Sequence, residues 1–534
     1  MDLLDFSKSP ILNTLKKLIP IQKRNYAGAE YNRFTQDWRS PHSSANLEIY
    51  NSLHKLRDRS RELARNNPHA DAIFDTLVND CIGTGMNLQS QVKMQRGSNK
   101  LNDRLNEQIE EAWEHWGKNC DVSGRLTFSE LERLWFRTIV ISGECLIRLI
   151  KQPFNQSEVP LGLELIMPDQ LDDTLAFKYA TSNGNRIFMG VEVDQWNRPV
   201  AYWIKPFHSA DAYRNFNTTA SSERIPAEEI IHGFLTEEPG QIRGVPWIYS
   251  SMIKLRDLES YEDALIKKAR IESNIAIYMR RTGLEDMQVP ASQQESLYNG
   301  RPDVSIPSGV IHTLLPGEEP VFNPSPAPNN SAVDFIRSMI KIAATGVGVT
   351  YSKISSDYSQ NNYSQSRMEQ LATLPRLLVN QMFHRNSFCN KIFPIWQELA
   401  VLASVLNIPK YFQDSAFYCK PRWKPPGLRL QDPEKEAQAF QMLYEMRVMT
   451  KTEITQQITG RDYEEVAQEI SNEIYVIDQK YGLNIDPTLP NEKKMLLFNE
   501  FALSRAEQGD RGTEYIEGIK EQIDYWKFKA GVAA

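Results

Sequence analysis

"TEEPGQIRGVPWIYSSMIKLRDLESYEDALIKKARIE", residues 236–272, decides how the chain is built. Turn-formers come first: Pro239, Gly240 and Gly244. After Pro246 some thirty residues pass without Gly or Pro, and Ile248, Met252, Leu255, Leu258 and Tyr261 recur at helical spacing. Proline suits a helix start, where its missing N–H would be unpaired anyway. The pattern predicts one helix of some thirty residues after Pro246, roughly 45 Å long at 1.5 Å per residue. So long an element with no recognisable catalytic constellation reads as a strut.

Upstream of the strut, helical patterns cover 44–67 and 68–81, separated by "ARNNP", where the pre-proline residue disfavours helix. Leu101, Leu105, Ile109, Trp113 and Trp116 share one face of a third helix, and Thr127 with Glu130 forms a capping box that opens a fourth, ending near Gly143. Strands follow at 144–150 and 161–167, then "RIFMGVEV" and "PVAYWIKP" as a hairpin joined by "DQWNR". This is α+β order, not the regular βαβ alternation of a doubly wound nucleotide-binding sheet. Downstream, 305–330 reads as a small β-rich module with a proline-rich linker, followed by helix, a polar stretch at 350–367 and a second long helical pattern. The last hundred residues read as a separate helical domain, opened by Asp432–Pro433, capped by Thr450/Glu453 and Asp462/Glu465, and stopped at Gly460 and Gly482.

Composition narrows the function. The 534 residues carry 68 acidic and 61 basic side chains, a net charge of −7, so tight wrapping of a polyanion is disfavoured. Five scattered cysteines without a CxxC pair predict reduced, mostly buried thiols and neither zinc knuckle nor disulfide framework. Asp2 and Asp5 stand where a secretory leader would be basic. The stripe Ile11, Leu12, Leu15, Leu18 and Ile19 reads as an arm docking on protein, with a membrane surface as the alternative. No apolar run is long enough to span a bilayer.

Chemistry-bearing motifs are sparse. GxxxxGK[ST], HExxH and GxSxG are missing from the sequence, and "IGTGMN" and "TGVGVT" read as helix-ending glycines. Carboxylate pairs such as Glu259/Asp263 and Glu464/Glu465 read as solvated helix faces, and the eight histidines as structural, so no catalytic residue, metal or cofactor is expected. Arg57, Arg61 and Arg65 form an i, i+4 stripe interleaved with Asp58 and Glu62. Ion pairing within or between subunits is the favoured reading, phosphate contact the other. Tyr351, Tyr358 and Tyr363 sit in a Ser/Asn/Gln-rich setting with only Lys353 and Asp357 charged before Arg367.

Six blocks in order carry a family resemblance: "LRDRSRELARNNPHADAIFDTLVNDCIGTGM", "GVEVDQWNRPVAYWI", "IIHGFLTEEPGQIRGVPWI", "LLPGEEP", "IKIAATGVGVTYSKISSDYSQNNYSQSR" and "GRDYEEV". Together, over roughly residues 26 to 480, they resemble the lambda-type portal proteins (head-to-tail connectors) of tailed bacteriophages. The resemblance implies a portal-type α+β fold. Its parts would be an N-terminal arm (1–25), an α/β wing (26–245), a first stem helix (246–279), a small β-rich clip (280–330), a second stem helix (331–349), a tunnel loop (350–366), a wing helix and return (367–430) and a helical crown (431–534). It implies a homo-oligomeric ring, typically dodecameric, at the unique capsid vertex of the virion, assembled in the host bacterial cytoplasm. Its partners would be double-stranded DNA, terminase, head-completion and tail connector proteins, and capsid and scaffold proteins. DNA would pass through the ring during packaging and ejection. Lys353, Tyr358, Asn361 and Asn362 of the tunnel loop would give weak, sequence-independent phosphate contacts, because a near-neutral loop does not brake a moving duplex. The alternative is a metal-dependent DNA-processing enzyme, such as a nuclease, working beside packaging.

Overall fold

The computed structural model describes residues 42–97, 100–154, 156–176, 178–179, 184–207, 221–274, 278–281, 318–321, 330–358, 363–427, 433–459 and 463–475, with residue 33 and scattered positions between 499 and 527. The chain forms two compact units, Met1–Ser52 and Leu53–Ala534. Of the first, the described part is the start of helix α1 (Ala45–Asn66); the elements that follow lie in the second.

Helix α2 (Pro68–Cys81) opens on proline, and its N-cap Asn67 accepts the Ala70 N–H at 3.0 Å. Strand β1 (Asn87–Ser90) leads to α3 (Asp103–Gly117), which buries Ile109, Trp113 and Trp116 as its spacing predicts. Helix α4 (Phe128–Ser142) begins at the expected capping box, with the Glu130 carboxylate accepting the Thr127 N–H at 2.8 Å. It ends at Gly143, whose φ of +91° is the left-handed conformation that glycine tolerates.

Strands β2 (Glu144–Ile150) and β3 (Gly162–Ile166) form the first sheet, completed later by β9 in the antiparallel order β3-β2-β9. A second antiparallel sheet runs in sequence order through β4 (Lys178–Tyr179), β5 (Arg186–Phe188), β6 (Val191–Val193), β7 (Pro199–Ile204) and β8 (Glu223–Pro226). Here "RIFMGVEV" departs from expectation. It is not one strand but two, folded back on each other around Met189 and Gly190, which have φ of +44° and +83°. That pair makes the left-handed two-residue turn favoured in hairpins. The expected hairpin through "DQWNR" is formed by β6 and β7, with a bulge. Strand β9 (Ile230–Phe234) then joins the first sheet.

The strut, α5 (Met252–Asn274), starts at Met252 and not at Pro246. Residues 247–251 are turns, held by the Trp247 N–H on Val140 O at 3.1 Å and by the Ser251 hydroxyl on Ala343 O at 2.9 Å. Its 23 residues give a rod of about 35 Å. Beyond it β10 (Tyr278–Arg281) pairs antiparallel with β11 (Glu318–Val321); residues 282–317, most of the expected β-rich module, lie outside the described residues. Helix α6 (Asn330–Val347) returns, and α7 (Tyr351–Ser355) is a short turn of helix. Helix α8 (Tyr363–His384) passes through a π-helical turn, Arg385–Cys389, into α9 (Asn390–Leu402).

The short α10 (Ser415–Tyr418) precedes β12 (Pro421–Lys424), which pairs with β1. Three more helices follow: α11 (Pro433–Glu445), α12 (Lys451–Thr459) and α13 (Tyr463–Tyr475). The Thr450/Glu453 box is formed, each N–H bonding the other's side chain at 2.9 and 3.2 Å. The markers Asp432, Gly460, Asp462 and Gly482 lie outside the described residues.

Aromatic rings fill the main core. Trp113 lies 4.8 Å from Phe128, 4.9 Å from Trp396 and 5.5 Å from Trp423 between ring centroids, tying α3, α4, α9 and β12 together. A second cluster, including Leu146, Ile166, Val191, Val193, Tyr202 and Ile225, draws on both sheets. The five cysteines are free, four of them buried. No described helix is long and apolar enough to cross a membrane.

Candidate nucleic-acid interface

Two helices and the segment after them make up the candidate site. Helices α5 and α6 pack antiparallel: Ser251 bonds to Ala343, while Tyr261 meets Phe335 edge-on at 4.7 Å, so ascending one helix descends the other. Met252, Leu255 and Leu258 from α5 are buried with Ile340, Ala343, Ala344 and Val347 from α6. Gly346 permits the approach, because a Cβ there would stand 2.3 Å from the Ser251 hydroxyl oxygen. Past Tyr261 the described surface of α5 is largely exposed and of mixed charge.

The base of α5 is fixed by an enclosed ion cluster. Glu144, at the start of β2, is fully buried and receives Arg57 from α1, the Arg243 Nε at 2.7 Å, the His232 Nε2 of β9 at 3.0 Å and the Gly244 N–H at 2.8 Å. Burial opposes ionisation of Glu144, but Arg243 and Arg57 outweigh it and hold the carboxyl well below the usual range. Burial also lowers the Arg57 and His232 pKa values, with Glu144 opposing in both. The Arg57 Nε further donates to Ser142 O at 3.0 Å, and Arg61 pairs with Asp169. Two members of the arginine stripe are therefore spent on ion pairs within the subunit; Arg65 is exposed.

After α6 the chain is pinned at three points. Lys353 on α7 donates to Asp80 of α2 at 2.6 Å, both about one-third exposed. The Ser352 hydroxyl donates to Glu369 of α8. Asp357 accepts from Arg337 and from the Tyr351 hydroxyl, each at 3.1 Å. The hydrogen bond with Tyr351 and the nearby Asp357 raise the Arg337 pKa. Of the expected tunnel-loop residues, Lys353 is thus held in a helix and paired, Tyr358 is exposed, and Asn361 and Asn362 lie outside the described residues. Helix α7 is capped by Ser356, with φ of +53°, and α8 begins at Tyr363, so the expected loop 350–366 includes α7 and the first turn of α8, with 356–362 between them.

One feature escapes composition and motif reading. Helix α8 buries one side and carries an exposed apolar strip on the other. Leu377, Asn380, Gln381 and His384 face the subunit's own interior, whereas Met368, Leu371, Leu378, Val379 and Met382 are each about half exposed or more. At 100° per residue the exposed set and Pro375 fit a sector of about 100°. Positions 368, 371, 375, 378 and 382 alternate by three and four, the spacing of a coiled-coil seam and the signal that could have revealed it.

Residues 31–381 match the family described as phage portal protein, lambda family, which takes in β1 to β11, α5, α6, α7 and nearly all of α8. The chain belongs to the lambda family of phage portal proteins. Family relatives include the "Probable portal protein" of Halomonas phage phiHAP-1, 28% identical over 85% of this chain and 87% of its own. "Portal protein B" of Escherichia phage lambda is 21% identical over 84% of this chain and 89% of its own. Among solved structures, a chain from the "Neck of empty GTA particle computed with C6 symmetry" aligns at a TM-score of 0.41 and 14% identity, covering 76% of this chain and 92% of its own. The family segment of this portal chain stops at residue 381, short of the π-turn and of α11 to α13.

Proposed function

We propose that copies of this chain close into a ring, typically of twelve, at the unique vertex of a phage capsid. Double-stranded DNA passes through the ring during packaging and ejection. Terminase docks on it first and head-completion and tail proteins afterwards, with capsid and scaffold proteins around the wing. The α5/α6 pair lines the channel, and the polar span 356–362 faces the duplex. The ring itself carries out no reaction.

The seam on α8 is the observation that carries the ring. Among the described residues this apolar strip stays about half exposed, and a second copy of the chain laid against it would cover it. A heterologous contact repeated around an axis closes a ring. Weak DNA contact is supported by charge: Lys353 and Asp357, the two charged residues of 350–366, both have partners within the subunit. Each phosphate neutralised adds about 0.9 to the salt slope of binding, and many identical grips would slow a moving duplex. Tyr358, Asn361 and Asn362 are left for transient contact. The nuclease alternative gains no support from the family match.

Electron microscopy and sedimentation of the purified full chain test the ring. The natural sequence is expected to give pierced discs, and Leu378→Asp with Met382→Asp a folded monomer of unchanged circular dichroism. Discs from that double variant would remove the seam from the interface. Monomers from the natural sequence under assembly conditions would end the proposal. Cleavage of DNA with Mg²⁺ or Mn²⁺ would restore the nuclease.

A further inference from the structure

Away from the channel, three elements bring a carboxylate, an imidazole and a thiol to one point. Glu132 comes from the middle of α4, His384 from the last residue of α8, and Cys389 from the end of the π-helical turn. All three side chains are fully buried. His384 Nε2 lies 2.6 Å from Glu132 Oε1, and Cys389 Sγ lies 3.6 Å from that oxygen and 3.8 Å from Nε2.

The π-turn creates this meeting. Residues five apart on an α-helix point about 140° away from each other. Here the Asn390 N–H reaches back five residues to Arg385 O, and the wider turn brings residue 389 beneath residue 384. Such turns cost hydrogen-bond geometry and gather at functional sites. A second observation concerns His384 Nδ1, which is buried and has no hydrogen-bond partner among the described residues. Nε2 is the nitrogen turned toward Glu132 and Cys389 and so the one placed to bind an ion, and Nδ1 is the position its proton would take.

We propose that Glu132, His384 and Cys389 form a zinc site. The donor set suits the ion: carboxylate oxygen, imidazole nitrogen and thiolate sulfur are its ordinary ligands, with metal distances of about 2.0–2.3 Å. Tetrahedral placement at those lengths separates sulfur from nitrogen or oxygen by about 3.5 Å, close to what the cluster already has. Nitrogen and oxygen must part by about 0.7 Å, from hydrogen-bond length to about 3.3 Å. On loading, the thiol proton leaves, the imidazole proton moves from Nε2 to the idle Nδ1, and carboxylate plus thiolate neutralise the divalent ion. The site would staple α4 to the α8–α9 junction, beneath the face that the seam presents.

The test uses the full chain produced with zinc in the medium, and separately refolded with zinc or with cobalt(II). About one zinc per chain by mass spectrometry is expected, and the cobalt form should show a thiolate-to-metal charge-transfer band. Cys389→Ser should abolish the band and leave below about a tenth of an equivalent of zinc. Glu132→Gln, which preserves size and the acceptor for the Met86 N–H, should also lose the metal and serves if the cysteine variant does not fold. Folded natural protein with neither zinc nor a cobalt–thiolate band overturns the site, as does a folded Cys389→Ser protein that retains both. These readouts are independent of ring formation, so either proposal can fail alone.

Discussion

The joint at the foot of α5 and the segment after α6 are built from the same chemistry with opposite exposure. At the joint, Arg57, Arg243 and His232 close on Glu144 with almost no surface left to water. After α6, Lys353 meets Asp80 with a third of each side chain exposed. An enclosed charge that loses a partner is stranded, whereas an exposed one is taken over by solvent. The first region is therefore a fixed reference and the second a replaceable surface.

The contrast is most sharply broken at the joint. Arg243→Ala is expected to cost about 3–5 kcal/mol, because Glu144 stays buried with less compensation; a denaturant midpoint within error of the natural chain's would refute the assignment. A pH series asks the same question more gently. His232 has a lowered pKa in the fold, so its contribution is complete above the unfolded value of about 6.5 and is lost as pH falls through it. Glu144, held lower still, adds a steeper loss below about pH 4.3. On the alkaline side, burial pushes the thiols of Cys81, Cys120 and Cys145 up to about 12. Their contribution is complete below about 8.5 and fades above it. Urea midpoints should thus plateau between about pH 6.5 and 8.5, and His232→Gln should remove the first acid-side step. The smallest effect belongs to the exposed pair: Lys353→Ala should cost about 0.2–1 kcal/mol, while Tyr358→Ala leaves the midpoint unmoved. In packaging assays the expected change comes from Tyr358→Ala with Asn361→Ala; no change in DNA velocity or retention would clear 356–362 of DNA contact.

Local signals in the sequence were reliable where one element answers to itself. The Thr127/Glu130 box, the Trp113/Trp116 face and the ends of α1 and α2 follow from spacing and capping alone. The start of α5 was not legible, because Pro246–Ser251 is shaped by bonds to Val140 and Ala343, far away in the chain. "RIFMGVEV" hid its turn because Met189 is an unusual residue for a left-handed position. The Arg57 stripe showed that ion pairing was intended but not with whom, since Glu144 lies 87 residues on. Glu132 and Cys389 are 257 residues apart, and a spacing of five between His384 and Cys389 matches no ligand pattern until the helix widens. Scattered histidines could only be read as structural.

Between β9 and α5, Gly244 crosses Gly143 so closely that a Cβ on Gly244 would stand 2.2 Å from the Gly143 oxygen, and one on Gly143 would stand 2.4 Å from the Val245 carbonyl carbon. Main chain lies on main chain there, with no side chain between them to swivel or compress. A push along α5 therefore reaches β2 as a rigid displacement and is not absorbed at the hinge, so strain applied at the far end of the rod would be felt in the sheet with little slack.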